Sequence, residues 1–150
     1  MSSTNRGADR NKFDYYVTPK KEIHKFLKEF LKNHKEIKYF NILDPCAGGD
    51  IKNAASYPDV INDSLTKCDI TTLDIREDSR AQYKGVDYLT VDIKDYCKRR
   101  PNIIITNPPF YLAEDFIKKA LEDVEKDGYV ITLLRFNFLG SQARNKWLLN

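Results

Sequence analysis

No apolar run in the 150 residues approaches membrane-spanning length, and the first residues carry no signal-peptide apolar stretch. The expectation is a cytoplasmic protein with no membrane partner. Cysteine is scarce: Cys46, Cys68 and Cys97 are odd in number and widely spaced. That excludes a disulfide framework, and no pair has metal-ligand spacing, so all three read as reduced thiols. The two histidines, His24 and His34, lie on a lysine-rich polar stretch and read as solvated side chains. No metal site is expected. There is no Gly-x-Gly-x-x-Gly, which argues against a nicotinamide enzyme, and no Gly-Lys-Ser/Thr phosphate loop.

What is present suffices for one domain with a real core: 41% hydrophobic and 12% aromatic residues. Charge is uneven. Residues 1–38 hold ten Lys/Arg against five Asp/Glu, and the remainder fifteen against seventeen, so a net of +5 precedes a net of −2. A basic N-terminal third is compatible with a phosphate-rich partner, and equally with a solvated helix face.

Residues 1–13 are polar and without periodicity, and read as a flexible arm ahead of a domain over 14–150. Thr18 precedes Pro19 and can cap a helix with Pro19 at its first position. Ile23, Phe26, Leu27, Phe30 and Leu31 then form one apolar stripe. A first strand is expected over 39–43, ending in Asp44-Pro45-Cys46-Ala47-Gly48-Gly49-Asp50. A short helix over 51–56 is expected to break at Tyr57-Pro58. Further strands are expected over 70–73, ending at Asp74-Ile75; over 85–91, ending near Asp92; over 102–106; and over 129–134. Between the last two, Leu112, Phe116, Ile117, Ala120, Leu121 and Val124 mark a helix with Gly128 as its C′ residue. Ser141 is placed to cap a last helix carrying Trp147 and Leu148.

Strands alternating with helices argue for a parallel three-layer α/β sheet. In such sheets ligands bind beyond the carboxyl ends of the strands. The unusual residues fall there: 44–49, Asp74, Asp92, and Asn107-Pro108-Pro109-Phe110. Small residues after a strand let backbone approach a ligand, and a carboxylate ending the second strand suits ribose hydroxyls. Without a phosphate loop, the ligand expected is a nucleoside with little or no phosphate, with Asp92 meeting its adenine amino group. Two prolines after a buried strand lock the backbone and remove two donors, which suits aiming an asparagine and backbone carbonyls at a small ligand.

The order Thr18-Pro19, Asp44-Pro45-Cys46-Ala47-Gly48-Gly49, Asp74-Ile75, Asp92-Ile93, Asn107-Pro108-Pro109-Phe110 resembles the S-adenosylmethionine-dependent DNA adenine-N6 methyltransferases. It resembles the bacteriophage-type members most, through Ser56-Tyr57-Pro58 and Leu133-Leu134-Arg135-Phe136-Asn137-Phe138-Leu139-Gly140. The resemblance covers roughly residues 13–146. It implies a Rossmann-like class I methyltransferase sheet, S-adenosyl-L-methionine as cofactor, DNA as partner and action inside a bacterial host cell. By the same resemblance, Tyr16, Thr18 and Pro19 touch the methionine part of the cofactor. Asp44, Pro45, Cys46, Ala47 and Gly48 pack under it, Asp74 holds the ribose, Ile75 lies on the adenine, and Asp92 and Ile93 complete the adenine pocket. Asn107 and the Pro108 carbonyl accept from the target amino group, Pro109 stiffens the tip, and Phe110 stacks on the target base. The motif alone does not separate DNA from RNA or a protein glutamine as acceptor. An inactive cofactor-binding module or regulatory subunit shares its binding residues.

Two departures stand out. About fifteen residues separate Asp92 from Asn107, leaving no room for a target-recognition domain there. The sheet is also expected to lack the last two strands usual in the family. The fifth strand is then an apolar edge, expected to be covered by a second copy or a partner chain, or else the sequence is a shortened version of a longer polypeptide.

Overall fold

The computed structural model describes residues 17–134 and 136–148, so Tyr16 and the expected arm over 1–13 lie outside the described residues. The elements follow in the order α1 (Lys20–Asn33), β1 (Phe40–Asp44), α2 (Ser56–Ser64), β2 (Cys68–Asp74), β3 (Tyr83–Lys84), β4 (Ile103–Thr106), α3 (Ala113–Asp123), β5 (Tyr129–Thr132) and α4 (Gln142–Leu148). Short 3-10 turns occupy Ile93–Asp95, Phe110–Leu112 and Phe136–Gly140. The strand order is β3-β2-β1-β4-β5, and every pairing is parallel.

The apolar pattern decides which residues face which layer. On one face, Ile23 and Leu27 of α1 and Val60 and Ile61 of α2 pack on Phe40, Ile42, Ile103 and Ile105. On the other, Phe116 and Ala120 of α3 join Tyr88 and Ile93 over Leu43, Leu73 and Ile104. Successive strand residues thus serve opposite faces, as strand geometry requires. A satellite cluster sets Phe138 against Ala113 and Ile117, with Leu134 and Trp147 packed around it.

Several local expectations are corrected. The helix after β1 begins at Ser56, and Pro58 sits in its first turn without breaking it. First-turn amides have no intrahelical acceptor, so a proline there costs no hydrogen bond. Thr18 does not cap α1. Pro19 is the cap residue, its carbonyl accepting from Glu22 and Ile23, and no side chain among the described residues caps the helix. The third strand is two residues long. Beyond the left-handed Gly85, the chain folds on itself: Asp87 accepts from the Leu89 amide through its carboxylate and from Thr90 through its carbonyl. The observed strand thus lies ahead of the expected 85–91, and past Val86, whose amide still donates to the Asp74 carbonyl, these local bonds replace the ladder. His34 is not simply solvated. Its ring packs between Phe30 and Tyr129, at centroid distances of 4.3 and 4.6 Å, and Nδ1 meets Glu36 at 3.1 Å. Trp147 is half-buried beside α3, with the Lys118 ammonium 5.2 Å from its ring.

Gly128 is not the C′ residue of α3. Val124 ends that helix in extended geometry, and the left-handed position falls to Asp127, at φ 64°. Gly128 is instead a requirement of space. A Cβ there would lie 2.7 Å from Val124 Cγ2 and 2.8 Å from the Asn102 carbonyl, which accepts from Tyr129 at the start of β5. Gly128→Ala is expected to lower stability by about 1–3 kcal/mol through overpacking, measured by urea unfolding. A loss below ~0.5 kcal/mol, the range of an unremarkable surface change, contradicts this account.

Candidate functional site

The carboxyl ends of β1, β2 and β4 open onto one cleft. Its walls include Val17, Thr18, Cys46, Ala47, Gly48, Gly49, Ala54, Ser56, Tyr57, Asp74, Ile75, Arg76, Asn107 and Pro109. Of the residues singled out in the sequence, Thr18, Cys46, Ala47, Gly48, Asp74, Ile75, Asn107 and Pro109 meet there. Asp44, Pro45 and Pro108 are fully buried and do not line the cleft. Pro19 is exposed on the outer side of Thr18. Phe110 turns to a separate cavity.

The loop after β1 has a built shape. Gly48 and Gly49 are both left-handed, at φ 68° and 74°. A Cβ on Gly49 would meet the Ala55 amide and Arg80 Cγ, each at 2.9 Å. Asp74 fixes this loop from the neighbouring strand: one carboxylate oxygen accepts from the Gly48 amide at 2.8 Å, the other from the Arg76 amide at 2.8 Å. A carboxylate has about four lone-pair sites, so capacity remains for hydroxyl donors in the cleft. Arg76 closes the same joint in the other direction, donating from Nη2 to the Gly49 carbonyl and from Nε to Asp78. Ile75, about half exposed, offers an apolar face beside it.

Across the cleft, Asn107 Nδ2 donates to Thr18 Oγ1 at 3.1 Å, a contact spanning 89 positions of sequence. Tyr57 is hydrogen-bonded with the same threonine, and burial followed by the charge of Asp44 pushes its phenol up to about 12. It stays protonated and able to donate. The Cys46 thiol is pushed well above its ordinary value by burial and by the charges of Asp44 and Asp74. It lines the cleft as an unreactive thiol, not as a nucleophile.

The ends of β1 and β4 are joined beneath the cleft. Thr106 Oγ1 donates to Asp44 Oδ1 at 2.8 Å, and the same oxygen accepts from the Cys46 amide at 3.1 Å. Asp44 Oδ2 is buried with no hydrogen-bond partner. Burial dominates, and the Asp44 carboxyl is pushed up to about 7.

Asp92 and Ile93 are not at this site, contrary to expectation. Asp92 is an exposed residue that caps the turn Ile93–Asp95 through the Lys94 amide, and it lines a different cavity beside α3. Ile93 belongs to the core under that turn. The misplacement follows from the shortened third strand: the first acidic residue beyond β3 is Asp87, whose charge is felt at the Cys46 thiol. Gly85, a turn signal two residues earlier, marks that earlier strand end. Thr106, Tyr57 and Arg76 also escaped sequence reasoning. Thr106 carried a signal, being the one polar residue closing an Ile-Ile-Ile strand.

The raised Asp44 carboxyl has a consequence for stability. The folded chain keeps a proton on this group from its ordinary value of 3.8 up to about pH 7, where the unfolded chain has released it. Its contribution is fully present below pH 3.8 and is lost as pH rises to about 7. Urea unfolding from pH 4.5 to 8 is expected to show wild-type stability falling relative to Asp44→Asn up to about pH 7, then running level with it. A difference independent of pH contradicts the assignment.

Comparison with known proteins places the fold. No protein-family model matches the chain, and no curated protein sequence does. Among solved structures, the chain is similar to a Listeria monocytogenes protein provisionally assigned as a class I S-adenosylmethionine-dependent methyltransferase, with a TM-score of 0.59 and 16% identity. The match covers 88% of this chain and 52% of that one, so the chain spans about half the neighbour's length. At this identity the likeness establishes the fold: a Rossmann-like sheet of the class I methyltransferase type.

Proposed function

We propose that the chain binds S-adenosyl-L-methionine in the cleft and transfers its methyl group to the exocyclic N6 of adenine in DNA. The observation that carries this reading is that the glycine loop, Asp74 and the tip residues Asn107 and Pro109 share one cleft, with Thr18 bonded across it to Asn107. The residues fit the cofactor. The left-handed glycine loop leaves backbone open for close approach, Asp74 retains acceptor capacity for ribose hydroxyls, and Ile75 offers a flat apolar contact for adenine. The fold likeness to a protein described as dependent on this donor supports the same choice.

When bound, the cofactor supplies a sulfonium methyl that is already electrophilic. The chain's own work is alignment and charge stabilisation. Thr18 takes the Asn107 amide nitrogen, so the amide oxygen is the atom able to accept from a substrate. That oxygen and the Pro108 carbonyl receive the acceptor's amino hydrogens and draw its delocalised lone pair toward tetrahedral geometry. They stabilise the positive charge that grows on nitrogen as the N–C bond forms and the C–S bond breaks. The surplus proton leaves to water, and no side-chain base is required. Phe110 supplies a ring for the extruded base.

Transfer of tritium from labelled S-adenosylmethionine to DNA, RNA and protein acceptors tests the reading. Label should enter adenine of DNA, and Asn107→Ala should lower the rate about 10²-fold or more, the usual cost of removing such a group, while cofactor binding persists. Cofactor binding without transfer to any acceptor would make the chain a binding module. Label in RNA or in a protein glutamine would move the substrate and keep the chemistry.

A further inference from the structure

The tip is a partition between two cavities. Asn107 and Pro109 face the cleft described above, whereas Phe110 and Tyr111, the next two residues, line a second open cavity. Its other walls are Ala113 of α3 and, from the chain after β5, Leu134, Asn137, Phe138 and Arg144.

This second wall is tied to the tip. Arg144 donates from Nε to Glu114 in the first turn of α3, and from Nη1 to the Phe138 carbonyl, each at 3.2 Å. Its guanidinium also lies 4.2 Å from the centre of the Phe138 ring. Phe138 itself is buried against Ala113 and Ile117, the helix that grows directly out of the tip. The residue just before it, Asn137, is thereby set in the lining of the same cavity as Phe110, and it is exposed. The cavity thus combines two adjacent aromatic rings, an aliphatic wall and one amide bearing both a donor and an acceptor. A planar heterocycle with mixed donors and acceptors suits such a lining. Asparagine suits adenine in particular: its amide nitrogen can donate to a ring nitrogen beside the amino group, whose two hydrogens go to Asn107 and Pro108.

Building on the methyl-transfer reading, we infer that this second cavity receives the acceptor base and that Asn137 is the residue that selects adenine. Arg144 acts as a positioning residue, holding the Asn137 segment against α3. The base enters from the side of the tip away from the donor, so its amino nitrogen meets Asn107 and Pro108 at the partition.

The test is a cycle that varies residue and base together. Methyl transfer is measured for the wild type and Asn137→Ala on oligonucleotides carrying adenine, 1-deazaadenine or 7-deazaadenine at the acceptor position. The dissociation constant of S-adenosylmethionine is measured alongside. On adenine, Asn137→Ala should lower kcat/KM about ten- to a hundred-fold, the range of one good base-edge pair, with cofactor binding unchanged. On one of the two deaza bases the same substitution should have almost no further effect, because its ring-nitrogen partner is already gone. A merely structural role would depress all three acceptors equally, and that result overturns the inference, as does an unchanged rate on adenine. Should the wild type methylate no adenine acceptor, the adenine reading and this inference fall together. A wild type active on adenine but indifferent to Asn137→Ala removes the inference alone.

Discussion

The hydrogen bond from Thr106 to Asp44 is the constraint on which the site depends. It joins the carboxyl ends of the two central strands, 62 positions apart in sequence and wholly inside the protein. Thr106 immediately precedes Asn107, and Asp44 immediately precedes the loop that leads to Gly48. One contact therefore ties the glycine loop to the Asn107-Pro108-Pro109-Phe110 tip. Its position inside the protein is also its cost. Asp44 gives one oxygen to two donors and leaves the other bare, so burial holds the carboxyl part-protonated near neutral pH. A carboxylate kept in this condition is unfavourable for the fold taken alone, which is the mark of a group retained for what it positions.

Around that joint, the same solution recurs: a carboxylate at or just beyond a strand end takes loop amides. Asp74 holds Gly48 and Arg76, Asp87 holds Leu89, and Asp50 holds Lys52 and Asn53. Each bond satisfies a loop amide that no ladder could reach. Together they make the carboxyl edge of the sheet a fixed surface, although few of its residues belong to strands or helices. Preorganised backbone is what electrostatic stabilisation of a developing charge requires.

Much of this was legible in the chain, and what escaped has a physical reason. Parallel order and the strands ending at Asp44, Asp74 and Thr106 could be read because buried central strands are written as apolar runs with polar stops. The Asn107-Pro108-Pro109-Phe110 tip could be read because two prolines after such a strand have little structural use. The third strand misled, since Val86, Tyr88, Leu89 and Val91 suit a strand by propensity, but local bonds from Asp87 turned the chain first. That error pointed to Asp92, five positions beyond Asp87, the first acidic residue after the observed strand. The Thr18–Asn107 contact and the Arg76 clamp were beyond reach, because both join distant segments through polar atoms that leave no periodic trace.

The central claim is that the methyl donor lies between the glycine loop, the end of β2 and the Asn107 tip. At 17.5 kDa, the chain suits amide chemical-shift mapping by nuclear magnetic resonance. Titration with S-adenosylmethionine should move the amides of Gly48, Gly49, Ile75, Arg76 and Asn107, and leave Asp92, Ile93 and Lys94 in place. Shifts gathered around Asp92 with the glycine loop unmoved, or no saturable shift anywhere, would contradict it.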